Sequence, residues 1–267
     1  MAGKRVKKEY RARLLPACVL LAAVCLLLCG ERADAEVPQL PQRPALVLPQ
    51  PQPEIRPYAD PDAPPREQPP FAPVAESGPV TDDYFAKTAF LGDSRTEGFY
   101  LYSGLRQGSY YYAVGATVES AVSYRAEQWD MPLVDAMAAE EFDRIYIMLG
   151  INELGWKGTS LFYERYERLI DRLRADHPDA AIVLQPVLPV SAVQEAKDTH
   201  VNNTRIAEYN RVIWLLAEKK GCAYLELTEA LADEEGFLRK EWTSDGVHLN
   251  IAGCKVWLDY LKSHPVM

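Results

Sequence analysis

The residues best suited to chemistry fall in four short blocks of the sequence. These blocks are Gly92-Asp93-Ser94, Gly115, Gly150-Ile151-Asn152-Glu153, and the stretch from Asp245 to His248. A reaction that attacks an ester needs a nucleophile, a base, a group that orients the base, and donors for the oxyanion. Ser94 can be the nucleophile, and His248 can be the base because imidazole exchanges protons near neutral pH. The types of these residues therefore predict acyl chemistry.

The remaining members of the blocks can support those two side chains. Asp245 precedes His248 by three residues and can accept the imidazole N–H in a turn. Asn152 can donate a side-chain N–H to the oxyanion, and Gly115 can bring its backbone N–H close because it has no Cβ. Each piece alone also fits a structural role, Ser94 as a helix cap and the Asp245 stretch as a capping segment. Their order and placement together favour a site.

The elements that must position these blocks alternate between short apolar runs and amphipathic stretches. The predicted strands are Ala89–Leu91, Tyr110–Val114, Arg144–Leu149, Ala181–Gln185 and Ala223–Leu227. The predicted helices are Arg95–Tyr102, Ser120–Ala126, Leu161–Asp176, Asn203–Lys219 and Ile251–Ser263. This alternation predicts an α/β fold, a doubly wound three-layer α/β/α sandwich with about five parallel strands. Ligands bind beyond the carboxyl ends of such strands, where the polar blocks collect.

Taken together, the four blocks resemble those of the SGNH/GDSL hydrolases, the GDSL-like lipases and acylhydrolases. The resemblance covers about residues 85–261 and implies a flavodoxin-like fold that hydrolyses esters or thioesters without a metal or organic cofactor. It implies Ser94 as nucleophile, His248 as base and Asp245 as the residue that orients it. It also implies an oxyanion hole built from the Ser94 backbone N–H, Gly115 and Asn152.

The chain departs from the family pattern at two positions beside the blocks. Arg95 follows Ser94 where leucine is usual, and Glu153 follows Asn152 where aspartate is common. Arg95, Glu153, Trp156 and Tyr209 are candidates for shaping substrate binding, although simple packing is favoured for Trp156. The segment 188–202 is expected to set specificity. Its His200 is more readily explained as a solvated loop residue than as part of the substrate mouth.

The N-terminal segment has the pattern of an export signal. A basic run between Lys4 and Arg13 precedes the uncharged stretch 14–30, and Ala33-Asp34-Ala35 offers a cleavage site. Residues 1–35 are therefore a signal peptide or an uncleaved signal anchor, with residues 14–30 as the candidate membrane anchor. Basic residues before an apolar run stay in the cytoplasm, so the remaining chain is expected on the outer side, secreted or anchored.

The composition divides the rest of the chain into a linker and one domain. Fourteen of the 20 prolines fall in residues 36–80, which predicts an extended, polyproline-like linker or a plain disordered tail. Residues 81–267 have the size of a single domain. The net charge of −9 argues against nucleic acid as a partner, since phosphate binding needs a basic surface. Cys222 and Cys254 are expected as free buried thiols, with one disulfide as the alternative.

The sequence leaves three functions open. The first is a serine esterase that cleaves a carboxylic ester, such as an O-acetyl group on a cell-envelope or environmental carbohydrate. The second is an O-acyltransferase that passes the acyl group to a glycan hydroxyl. The third is a non-catalytic surface-binding module on the same fold. The presence of Ser94, Asp245 and His248 argues against this third function.

Overall fold

A computed structural model of the protein describes residues 71–267. The predicted export segment and residues 36–70 of the predicted linker lie outside the described residues. Between residues 71 and 267, no helix is both long and apolar enough to cross a lipid bilayer.

The centre of the domain is a parallel sheet of five strands in the order β2-β1-β3-β4-β5. The strands are β1 (Thr88–Gly92), β2 (Ser109–Tyr112), β3 (Arg144–Met148), β4 (Ala181–Leu184) and β5 (Ala223–Tyr224). The chain places β2 on one side of β1, and β3, β4 and β5 on the other side. The strand order therefore changes direction between β1 and β3. An open parallel sheet binds ligands at this reversal, beyond the carboxyl ends of its strands.

Helices connect the strands and cover the sheet. The α-helices are α1 (Ser94–Tyr102), α2 (Ser120–Ser123), α3 (Leu133–Met137), α4 (Ser160–Asp176), α5 (Ala192–Glu195), α6 (Asn203–Lys220), α7 (Thr228–Leu231) and α8 (Ile251–Ser263). Short 3₁₀ helices cover Asp82–Phe85 and Lys240–Trp242. The five predicted helices all appear, and α2, α3, α5 and α7 are single turns or little more.

Two hydrophobic cores lie on opposite faces of the sheet, as the period-2 geometry of strands requires. In β3, Ile145 and Ile147 pack on the face covered by α4 and α6, whereas Tyr146 and Met148 pack on the face covered by α1 and α8. Both faces of the strands are therefore buried, which explains their continuous apolar runs. The predicted three-layer α/β/α fold is confirmed.

Three predicted elements end two or more residues earlier than their sequence pattern suggested. The second strand stops at Tyr112 and the fifth at Tyr224, so the apolar residues beyond them belong to loops. Helix α2 stops at Ser123, because Tyr124 is extended at φ −121° and ψ 140° and Ala126 pairs with Met131 in an isolated bridge. Apolar character therefore did not fix where the hydrogen bonding of these elements ends, and Val114 and Tyr124 beyond two of them are exposed.

The end of the predicted linker packs against the domain. Phe71 contacts Trp214 edge to face, with ring centroids 4.8 Å apart. The backbone N–H of Val74 donates to Tyr224 O at 2.8 Å, and that of Val80 donates to Lys262 O at 3.0 Å. The structured part therefore begins at least ten residues before the boundary that proline content indicated, because proline-rich sequence can still dock along a folded surface.

Within residues 71–267, Cys222 and Cys254 are both free and buried. Cys222 belongs to the core between the sheet and α4 and α6, whereas Cys254 belongs to the opposite core. The free thiols favoured from the sequence are confirmed.

Candidate active site

Ser94 is the first residue of α1 and follows β1 after a single intervening residue. That residue, Asp93, caps the helix by accepting the Arg95 backbone N–H at 2.8 Å. Gly92 is required at this turn, since a Cβ there would lie 2.0 Å from Thr96 Oγ1 and 2.7 Å from Met148 O. The end of β1 and the start of α1 therefore hold the Ser94 hydroxyl where the strand order changes direction.

Three side chains from the first and last blocks are hydrogen-bonded in series. Ser94 Oγ lies 2.9 Å from His248 Nε2, and His248 Nδ1 lies 2.7 Å from Asp245 Oδ2. The hydroxyl, imidazole and carboxylate thus have the contacts that a nucleophile, a base and its orienting acid need. The convergence expected from the sequence is present in the structure.

A tight turn fixes Asp245 relative to His248. Asp245 Oδ1 accepts the backbone N–H groups of Val247 and His248, both at 2.8 Å, which leaves Oδ2 for the imidazole. Partial burial raises the pKa of Asp245, but the hydrogen bonds from the His248 backbone, the His248 side chain and the Val247 backbone outweigh it and bring the pKa to about 2. Asp245 is consequently a carboxylate at any ordinary pH.

Candidate oxyanion donors surround Ser94 on neighbouring loops. The Ser94 backbone N–H is in the first turn of α1, where helix N–H groups have no partner within the helix. Gly115, with φ of +75°, is in the loop after β2, and its N–H makes no backbone hydrogen bond within residues 71–267. Asn152 uses one amide hydrogen on Ala116 O at 2.8 Å, which leaves its second hydrogen free to donate.

An open cleft of about 690 Å³ connects these groups. Its walls include Ser94, Asp245, His248, Gly115 and Asn152. All five residues that the sequence assigned to catalysis or to the oxyanion hole therefore lie on one surface depression.

The cleft wall also contains residues that the four blocks did not reveal. Leu101 and Tyr102 come from α1, Val114 from the loop after β2, and Gln194, His200 and Val201 from the segment 188–202. His200 is an exposed loop residue, as the sequence favoured, and it also lies at the mouth of the cleft. The position of Leu101 could have been found from its seven-residue spacing after Ser94, which places both on one helix face.

Glu153 is fully buried beneath the cleft and does not reach it. Its Oε1 accepts the Val118 backbone N–H at 2.7 Å, and its own backbone oxygen accepts the Tyr209 hydroxyl at 2.6 Å. Oε2 has no hydrogen-bond partner among residues 71–267. Burial raises the pKa of Glu153 to about 8, partly opposed by the Val118 N–H and reinforced by the nearby charge of Asp93.

Arg95 is also buried, with 3% of its surface exposed. Its Nη1 donates to Leu188 O at 3.0 Å, whereas Nε and Nη2 find no partner in the described part of the chain. Burial lowers the pKa of Arg95 to about 10, against the opposing effect of Asp93 and Asp245, and burial likewise raises the pKa of Asp93 to about 6. Arg95 therefore contributes positive charge below the site.

Arg95, Glu153 and Tyr209 do not contact the cleft in the way the sequence suggested. None of Arg95, Glu153, Trp156 and Tyr209 belongs to the cleft wall. Arg95, Glu153 and Tyr209 are buried, and Trp156 is half-buried against the core that α4 and α6 cover. Arg95 and Glu153 adjoin site residues along the chain, but their side chains, like that of Tyr209, point into the domain. Trp156 shows the packing that the sequence favoured. Among residues 71–267, no group of three or more His, Cys, Asp or Glu side chains is arranged to hold a metal ion.

Comparison with known proteins agrees with this geometry. Residues 90–256 match the model of the GDSL-like lipase/acylhydrolase family. The chain belongs to the GDSL-like lipase/acylhydrolase family. The match spans all four blocks, from the strand before Ser94 to the helix after His248. No curated protein matches the chain significantly.

Solved structures share the GDSL fold at low sequence identity. A Streptococcus pneumoniae protein is 24% identical with a TM-score of 0.54, covering 66% of this chain and 82% of its own. A Parabacteroides merdae protein described as a GDSL-like lipase is 15% identical with a TM-score of 0.55, covering 72% and 99%. An acetyl xylan esterase is 18% identical with a TM-score of 0.50, covering 67% and 99%. At these identities the likeness concerns the fold.

Proposed function

We propose that this GDSL-family protein is a serine esterase that removes an acyl group, typically O-acetyl, from a carbohydrate. The observation that carries the proposal is the hydrogen-bonded series of Ser94, His248 and Asp245 at the edge of an open cleft. Such a series, with its carboxylate kept ionised, is what nucleophilic attack on an ester requires.

In the first half of the reaction, Ser94 Oγ attacks the ester carbonyl carbon and its proton passes to His248 Nε2. The carbonyl oxygen becomes an oxyanion that accepts hydrogen bonds from the Ser94 and Gly115 N–H groups and from the Asn152 amide. His248 then gives its proton to the departing sugar oxygen as the carbon–oxygen bond breaks. The products are a free hydroxyl and an acyl-Ser94 ester.

The second half returns the enzyme to its starting state. His248 takes a proton from a water molecule, whose oxygen attacks the acyl-Ser94 carbonyl. The same donors hold the second oxyanion, and His248 returns the proton to Ser94 Oγ as the carboxylic acid leaves. Throughout, Asp245 accepts the His248 Nδ1–H and stabilises the imidazolium that forms twice in the cycle.

The acyl group and the location of the reaction are parts of the same proposal. The fold shared with an acetyl xylan esterase motivates acetylated sugars as the first substrates to test. The basic and apolar residues 4–30 support export across the cytoplasmic membrane, either as a secreted enzyme or one anchored by residues 14–30. The substrate is then an ester of the cell envelope or the surroundings.

The direct test measures acetate released by the full chain from p-nitrophenyl acetate and from acetylated xylan. We expect release by the wild type and none above background by Ser94→Ala at equal folded concentration. If Ser94→Ala keeps wild-type activity, the proposed nucleophile is wrong. If acetyl groups move to an added glycan without free acetate, the protein is a transferase instead.

A further inference from the structure

A second groove borders the cleft along α1. Its volume is about 510 Å³, and its wall includes Tyr100 from α1, Tyr110 and Tyr112 from β2, and Gln128 from the loop after α2. Glu97 of α1 lines both the groove and the cleft. The two depressions therefore adjoin at Glu97.

Aromatic rings form the base of this groove. Tyr100 is 48% exposed, and its ring centroid lies 5.0 Å from that of Tyr110 and 6.0 Å from that of Tyr112. These rings are tilted by 49° and 33° to that of Tyr100. They form an aromatic surface at β2, the outermost strand of the sheet that residues 71–267 build.

The same surface has polar groups without partners. Within residues 71–267, no hydrogen bond or ion pair engages the hydroxyls of Tyr100 and Tyr112 or the carboxylate of Glu97. A hydrocarbon chain laid over them would remove water from these groups and give nothing in return. A ligand with apolar faces and hydroxyl groups at its edges satisfies both the rings and the polar groups.

The groove is at a suitable distance from the nucleophile. Tyr100 follows Ser94 by six residues in α1, which corresponds to about 9 Å along the helix axis. A short oligosaccharide can bridge that distance while its ester lies at Ser94. A small free ester would end within the cleft and would not reach the tyrosines.

We propose that this tyrosine groove binds the sugar units next to the acylated one, so that the substrate is a polysaccharide rather than a small ester. This inference rests on the proposed function. Sugar rings stack their C–H faces on Tyr100 and Tyr112, and sugar hydroxyls pair with Glu97 and the two phenolic groups.

The kinetic test compares a polymeric substrate with a small one. We expect Tyr100→Ala/Tyr112→Ala in the full chain to lower kcat/KM on acetylated xylan by about tenfold or more, mainly through KM, which corresponds to about 1.4 kcal/mol of lost binding free energy. Activity on p-nitrophenyl acetate should change less than about twofold, because a small ester does not reach the tyrosines. Tyr100→Phe/Tyr112→Phe keeps the rings and should recover most of the loss.

Tyr163→Ala is the matched control, because Tyr163 is a half-buried tyrosine of α4 on the opposite face of the sheet. It should leave the polymer-to-small-ester ratio unchanged. Equal losses on both substrates, or no loss on the polymer, would overturn the groove proposal while leaving the esterase intact.

A binding measurement separates the groove from the chemistry. Ser94→Ala should migrate more slowly in native gels containing xylan or glycol chitin, and the added tyrosine substitutions should abolish the retardation. Retardation without any esterase activity in the wild type would refute the proposed function and keep the groove. Absence of retardation in both polymers would refute the groove.

Discussion

Glu153 accepts the backbone N–H of Val118 at 2.7 Å and so joins the loop after β3 to the loop after β2. The first of these loops carries Asn152, and the second carries Gly115 and Ala116. Asn152 makes a second connection between them through Ala116 O. The two loops that supply the candidate oxyanion donors are thus held together by a buried carboxyl group and by one of the donors.

Replacing Glu153 tests this connection. Glu153→Leu leaves the buried Val118 N–H without an acceptor and should reduce the free energy of unfolding by about 1–3 kcal/mol. It should also lower kcat more than KM, since misplaced oxyanion donors act on the transition state. Glu153→Gln keeps an acceptor oxygen and should stay near the wild type. The two variants behaving alike would contradict the role assigned to the hydrogen bond.

The raised pKa of Glu153 predicts a pH dependence of stability. Between the ordinary carboxyl pKa of 4.5 and about 8, the folded chain holds a proton on Glu153 that the unfolded chain releases. Stability from this group is therefore complete at low pH and is lost as pH rises through about 8. Urea unfolding from pH 5 to 8.5 should show a decline that is shallower in Glu153→Gln. If the free energy of unfolding falls equally steeply with pH in both proteins, Glu153 is not the group responsible for the decline.

Asp245→Asn tests how the imidazole is oriented. The amide can still accept the Val247 and His248 backbone N–H groups through one oxygen, but its NH₂ group would face His248 Nδ1. Because this favours the wrong imidazole tautomer, kcat on p-nitrophenyl acetate should fall by about 10²–10⁴-fold. Thermal unfolding should move little. A variant with more than a tenth of wild-type kcat would remove Asp245 from the mechanism.

Asn152→Ala tests the side-chain oxyanion donor. Loss of one preorganised donor should lower kcat by about 10²–10³-fold with a small change in KM. Since Asn152 also bonds Ala116 O, Glu153→Leu serves as the comparison for loop displacement alone. If Asn152→Ala impairs kcat no more than Glu153→Leu does, its effect is positional and the amide is no oxyanion donor.

Local sequence patterns were sufficient to predict the sheet and the convergence of the blocks. In β3, the apolar run from Ile145 onward reads as a strand buried on both faces, and its carboxyl end leads directly to Asn152. Parallel strands bring their carboxyl ends to one edge, so the approach of Ser94, Gly115 and Asn152 followed from topology. His248 follows no strand directly but precedes α8, and the resemblance of its block to the family pattern placed it at the site.

The same sequence patterns did not predict which side chains near the site are buried. Arg95 and Glu153 are charged and adjoin site residues, which suggested contact with substrate, yet both are buried below the cleft. Charged residues are rarely buried so completely, and the direction of a side chain in a turn depends on backbone angles that spacing does not reveal. The cleft residues Gln194 and Val201 come from a segment without periodic pattern, so only its general position could be predicted.

Covalent labelling of Ser94 tests the central claim most directly. The full chain treated with a fluorophosphonate probe and digested should yield one modified peptide, with the adduct on Ser94. His248→Ala should label far more slowly, because the hydroxyl loses its base. An adduct on another serine, or none on folded protein that hydrolyses p-nitrophenyl acetate, would contradict the assignment of Ser94, His248 and Asp245 as the reacting groups.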